Sequence, residues 1–80
     1  MTTSQRDATI ELTTRNQLPG VIKRVTIGSV MAEVVVDVAG QEVVAAVTRH
    51  SVERLDLGEG DQVTVFVKAT EVMLGKEIDV

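Results

Sequence analysis

The sequence predicts an all-β domain, a small five-stranded barrel of the oligonucleotide/oligosaccharide-binding kind with one short helix. Three observations lead there. Short runs of β-branched residues alternate with polar ones at period two, glycine-containing turns separate them, and a single segment changes to a spacing of three. The chain has 80 residues, enough for one domain. We read residues 1–8, polar and small, as a flexible lead-in and residues 9–80 as the domain.

The elements follow in order. Ile10 and Leu12 alternate with polar residues where order begins. Leu18 to Ile27 reads as a long strand interrupted early by Pro19–Gly20, because proline donates nothing to a ladder. On strict alternation Val21, Val25 and Ile27 share one face, with Lys23 breaking it. Gly28–Ser29 turns the chain. Met31 to Val38 is a half-buried strand, with Ala32, Val34, Val36 and Val38 on its apolar side. After Ala39–Gly40, Val43–Val47 is apolar on both sides and is expected to be buried twice. Val52 and Leu55 sit three apart, which suits a short helix over Thr48–Leu57 with Thr48 as N-cap. Gly58–Asp61 ends it. Gln62 to Lys68 is the cleanest strand, with Val63, Val65 and Val67 on one side. Val72–Leu74 is expected to be the last short strand.

Composition excludes several functions. There are no cysteines and one histidine, so disulfides, thiolate metal sites and an ordinary zinc site are ruled out. No residue is expected to ligate a metal directly. Phe66 is the sole aromatic residue and the net charge is −4, which disfavours nucleic acid as partner. No segment is long and apolar enough to cross a membrane. The polar start Met1–Asp7 lacks an apolar signal region, and with the absence of cysteine it fits a cytoplasmic location. A domain of this size buries only roughly 60–65 % of its unfolded surface. Valine and isoleucine must fill the core, and so much aliphatic surface on so small a domain points to a partner subunit.

Catalytic sets are missing. Ser51 follows His50, but neighbours in sequence do not make a triad, and neither a G-x-S-x-G elbow nor a phosphate-binding G-x-x-x-x-G-K loop is present. What stands out is donors. Thr13, Thr14, Arg15 and Asn16 precede a strand, Thr48 and Ser51 open the helix, and Lys68, Ala69 and Thr70 follow the last long strand. A tetrahedral dianion needs such a lining of cations, hydroxyls and free backbone N–H groups. Spacing alone leaves plainer roles open: a surface salt bridge for Arg15, a cap for Thr48, a snorkelling side chain for Lys68.

The run Thr13-Thr-Arg-Asn-Gln-Leu-Pro-Gly20 resembles the Ser-Ala-Arg-Asn-Gln-Leu-x-Gly opening of the Mop domains, the TOBE-like molybdate-binding family. The resemblance continues through Ala32-Glu-Val-Val35, Thr48-x-x-Ser-Val-Glu-x-Leu-x-Leu57 and Val67-Lys-Ala-Thr-x-Val-Met-Leu74, covering about residues 10–75 in order. It is strongest to molbindins, the free-standing members. It implies the barrel fold, a homohexamer built as a trimer of dimers, and molybdate or tungstate held between subunits for intracellular storage. No organic cofactor, enzymatic activity, nucleic acid or membrane is implied. The alternative is a molybdate-responsive module acting on a separate transporter or transcription-factor chain. The oxyanion residues it implies are Thr13, Arg15 and Asn16 from one subunit, with Thr48, Ser51, Lys68, Ala69 and Thr70 from another. Arg15 and Lys68 would be the cations, and Thr13 stands where serine is usual. A second oxyanion site is implied at Gly28, Ser29 and Val30. Thr14 in place of alanine, Pro19 where lysine is common, and His50 are departures from the family.

Overall fold

The computed structural model describes residues 10–79, so the expected lead-in at residues 1–8 lies outside the described residues. Strand β1 (Asn16–Ile27) turns at Gly28–Val30 into β2 (Met31–Val38), which turns into β3 (Gln41–Thr48). Helix α1 (Arg49–Leu55) leads to β4 (Gln62–Val67), and a 3-10 turn (Ala69–Glu71) follows. The sheet runs β3-β2-β1-β4 with every neighbouring pair antiparallel. Each boundary has a local cause. Ala39 and Gly40, both at positive φ, form the two-residue turn whose twist suits a hairpin, and Asp37 Oδ1 accepts the Gly40 N–H at 3.0 Å.

The expected all-β fold with one short helix is present, but the barrel is not closed within one chain. Four strands pair, and the sheet stays open. The turn at Ala69–Glu71, closed by Glu71 N–H donating to Lys68 O at 2.8 Å, carries the chain away from β4. Among the described residues Val72–Leu74 therefore pairs with no strand, and Met73 and Leu74 are 90 % and 95 % exposed.

Strand β1 belongs to two ladders. Its first half, Asn16–Val21, pairs with β4; its second half, Val21–Ile27, pairs with β2. Pro19 does not interrupt it. Ile22 exchanges backbone hydrogen bonds with Gly60 and Asp61 on the β4 side. By alternation, Pro19 turns its nitrogen to the β2 side, where pairing has not yet begun, so no ladder donor is lost.

A bulge between Ile22 and Arg24 corrects the face assignment. Lys23 is the extra residue, so the core side of β1 is Ile22, Val25 and Ile27, opposite Val36, Val34 and Ala32. Val21 lies on the exposed side. Ile22, Ala32, Val34, Val36 and Val52 form the buried core, with Val63, Val65, Val47 and Leu57 partly buried against it. Strand β3 is covered on one side only. Val43, Ala45 and Val47 are half-buried, whereas Val44 is 58 % exposed. An apolar groove of about 290 Å³, lined by core residues together with Leu55 and Phe66, remains where a closed barrel would have its interior.

The freed Lys23 pairs with Glu42 at 2.9 Å, with Arg24 at 3.8 Å from the same carboxylate. The Lys23 hydrogen bond and charge hold the Glu42 carboxyl below the usual carboxylate range.

Helix α1 is capped at both ends. Thr48 Oγ1 accepts the Ser51 N–H at 3.1 Å. Asp56, in the left-handed region at φ 52°, donates its N–H to Glu53 O, and Leu57 donates to Val52 O at 3.0 Å. A glycine adopts that conformation without the Cβ penalty. Asp56→Gly is therefore expected to raise stability by roughly 0.5–1 kcal/mol, or a few degrees in melting temperature. Thermal denaturation followed by circular dichroism checks this, and a lower melting temperature would contradict the cap assignment.

Candidate functional site

The donors named from sequence gather at two ends of the sheet. The first end is built by the β1–β4 ladder. Asn16 is opposite Val67 in the last pair of the ladder, so Arg15, just before Asn16, and Lys68, just after Val67, flank the same end of it. Both are exposed. The ion pairs among the described residues are Lys23–Glu42, Arg24–Glu42 and Arg49–Glu53, and neither Arg15 nor Lys68 takes part in them. Side chains hold this corner together. Asn16 Nδ2 donates to Val67 O at 3.1 Å, and the Thr14 hydroxyl donates to the same oxygen at 2.7 Å. Gln17 Nε2 donates to Thr14 O at 2.9 Å. Thr13 lies just before this corner, and Ala69 and Thr70 lie just after it in the 3-10 turn.

The second end is formed where β3 enters α1. Thr48 pairs with Met31, and Arg49 N–H donates to Val30 O at 2.8 Å. The Gly28–Ser29–Val30 turn is closed by Gly28 N–H on Met31 O at 2.8 Å. Thr48 Oγ1 donates to Ser51 Oγ at 2.8 Å while accepting that residue's N–H, so the two hydroxyls form one unit. An open cleft of about 570 Å³ lies here, lined by Ser29, Val30, Thr48, Arg49, His50 and Glu53. The turn and the helix start, assigned from the resemblance to separate sites, thus share one end of the fold. Arg49 is tied to Glu53 at 3.0 Å.

The two ends lie far apart in one chain. Strand β1 has 12 residues between them, on the order of 35 Å at about 3.3 Å per residue. The resemblance implies that Thr48, Ser51, Lys68, Ala69 and Thr70 come together from one subunit. The chain instead places Lys68–Thr70 at the same end as Arg15, because the antiparallel register of β4 against β1 returns the chain to where β1 began. A single tetrahedral ion cannot touch Lys68 and Thr48 of the same copy.

Sequence reading left Thr14 without a role and treated Arg49 only as a helix residue. The signal for Thr14 was present: a threonine two residues before an N–H that its hydroxyl can accept. Arg49 and His50 enter the cleft because the first turn of α1 folds back on the β1–β2 turn, a contact no local pattern shows.

Residues 12–74 match the TOBE domain. Molybdenum-pterin-binding protein 3 of Clostridium pasteurianum is 38 % identical over 66 residues, covering 81 % of this chain and 97 % of its own length. A molybdate binding protein from Sporomusa ovata superimposes with a TM-score of 0.80 at 46 % identity, covering 84 % of this chain and all of that one. MopII from Clostridium pasteurianum does so with a TM-score of 0.77 at 36 % identity, covering 82 % of this chain and all of its own. The molybdenum transport protein ModE of Herbaspirillum seropedicae is 36 % identical over 70 residues, which span 26 % of its length.

Proposed function

The chain belongs to the TOBE-domain family, and from that membership we propose that it binds molybdate, or the similar tungstate, and serves as an intracellular store of the oxyanion rather than as an enzyme. The observation that carries this reading is that Arg15 and Lys68 flank the same end of the β1–β4 ladder, outside any ion pair among the described residues. A dianion removed from water is very costly unless it is paired and hydrogen-bonded. Two cations at one ladder end in a chain of net charge −4 supply the pairing locally, against the overall field. The backbone N–H of Ala69 and the hydroxyls of Thr13 and Thr70 are the neutral donors close by in the chain, and Asn16 orients the strand end.

A second copy completes the site. Thr48, Ser51 and the Gly28–Ser29–Val30 turn lie too far from Arg15 to serve the same ion within one chain, so another protomer brings that end to it. The open groove and the exposed Val44, Met73 and Leu74 support association, since each leaves apolar surface in water. The reading extends to a homohexamer, a trimer of dimers.

Molybdate should raise the melting temperature strongly. At a hundredfold excess over Kd, mass action adds about 2.7 kcal/mol, roughly 10–20 °C for a domain of this size. Sulfate, a smaller tetrahedron, should do much less. Native mass spectrometry should show copies and bound anions rising together. Equal or absent responses to the two anions would sink the proposal.

A second reading has one observation in its favour. Relatives named molybdenum transport protein ModE carry this region as about a quarter of their length. The domain could then report molybdate to a separate regulator or transporter chain. Pull-downs from cells grown with and without molybdate separate this from storage: a partner captured only with the anion favours signalling.

A further inference from the structure

We propose that Thr14 is a positioning residue for the oxyanion site, a hydroxyl clamp that ties the segment carrying Arg15 to the strand end that carries Lys68. The inference rests on the molybdate-binding reading above, but the clamp itself is a feature of the empty protein.

The geometry is as follows. The half-buried Thr14 hydroxyl donates to Val67 O at 2.7 Å and accepts the Asn16 N–H at 3.2 Å. Asn16 Nδ2 donates to the same Val67 oxygen at 3.1 Å. A carbonyl oxygen has two lone pairs, so both are engaged by these side chains. The consequences fall on the two cations. Arg15 lies between the residues that grip Val67, and the Thr14 Oγ1 contact to Asn16 N–H spans its backbone. Lys68 follows Val67 directly. Because the peptide group is planar, fixing the Val67 carbonyl also fixes the direction of the Lys68 N–H and the position of its Cα. One hydroxyl therefore restrains the backbone that carries both charged residues.

Without it, the side-chain grip on Val67 O would depend on Asn16 alone. The Gln17 N–H is already turned back onto Arg15 O at 3.1 Å. Holding the two cation-bearing segments together in the absence of ligand is preorganisation, which is worth affinity because the bound ion need not order the loop.

The experiment compares the full chain with Thr14→Val, Thr14→Ala and Thr14→Ser. Valine keeps the shape and removes the hydroxyl; alanine is the residue that the resembling motif carries, so it reads the same loss if valine packs badly. Serine keeps the hydroxyl. The first measurement needs no ligand. Amide exchange at Asn16 is expected to speed up several-fold in the valine and alanine variants and to stay near wild type with serine. The second is a titration with sodium molybdate. Affinity is expected to fall about five- to tenfold without the hydroxyl, the scale of one lost hydrogen bond, and to return with serine. Unchanged Asn16 exchange in both hydroxyl-free variants would overturn the clamp. So would unchanged affinity in them, or an equal loss with serine, which would point to the methyl group instead. If wild type itself ignores molybdate while the exchange results follow the expectation, the binding proposal fails and the clamp stands as structure alone.

Discussion

With Arg15 and Lys68 both replaced by glutamine, the molybdate-induced rise in melting temperature is expected to disappear, while the melting temperature without ligand stays within a few degrees of wild type. The two halves of this expectation have separate causes. Both side chains are exposed and join none of the ion pairs among the described residues, so removing their charge takes little from the fold. A buried dianion, in contrast, depends on them. Each charge-assisted hydrogen bond is worth about 1.5–3 kcal/mol, so either single replacement should weaken binding roughly 10- to 100-fold, and the pair together should take it out of the micromolar range. The losses need not add, since the cations meet the same ion. Calorimetric titration with molybdate, beside melting curves at one protomer concentration, checks this. Wild-type affinity in the double variant would remove the basis for the site.

Gly20→Ala is expected to be the most damaging single-methyl change in the protein. A Cβ at this position would lie 2.7 Å from the Asp37 carbonyl oxygen and 2.7 Å from Val36 Cγ1. The first of these contacts is with backbone and cannot be relieved by a rotamer change. The cause is the passage of β1 from one ladder to the other: at Gly20 the strand is still paired with β4 through Val63, and at Val21 it meets Asp37 of β2. The two strands approach closely where pairing begins. Overpacking of this kind costs about 1–3 kcal/mol, and moving β2 would also disturb Val36 in the core, so the upper end is expected. For a domain of this size that is a fall of roughly 10–20 °C in melting temperature. Gly75, whose added Cβ would meet nothing within 4 Å, is the control: Gly75→Ala should change little. A melting temperature for Gly20→Ala within two degrees of wild type would show that the close approach relaxes freely.

Much of the fold was legible because alternation is a local property. Ala32, Val34 and Val36 alternate with Glu33 and Asp37 as in a half-buried strand, and the structure buries those three residues but also Val35 on the other side. Val63 and Val65 lie on the covered side of β4 for the same reason. Thr48 as cap of a short helix was readable from its hydroxyl and the change of spacing. The face of β1 was not, because a bulge at Lys23 adds one residue and reverses every later side chain, and nothing in Val21-Ile-Lys-Arg-Val25 marks where the extra residue falls. Pro19 suggested a break that the strand does not have, since its harmlessness depends on which neighbour lies on each side. The segment Val72–Leu74 has a strand's composition, but the 3-10 turn at Ala69–Glu71 leads it away from β4, and among the described residues it pairs with no strand.

The sequence by itself determined the all-β class, the short capped helix, the turn positions and the stock of donors, because each follows from residues within a few positions of one another. The tertiary structure alone decided that Arg15 and Lys68 flank the same ladder end, that Thr48 stands a strand's length away, and that the sheet is open. Those facts depend on antiparallel register between segments about fifty residues apart, and register is set by packing across the sheet, which no local stretch of chain contains.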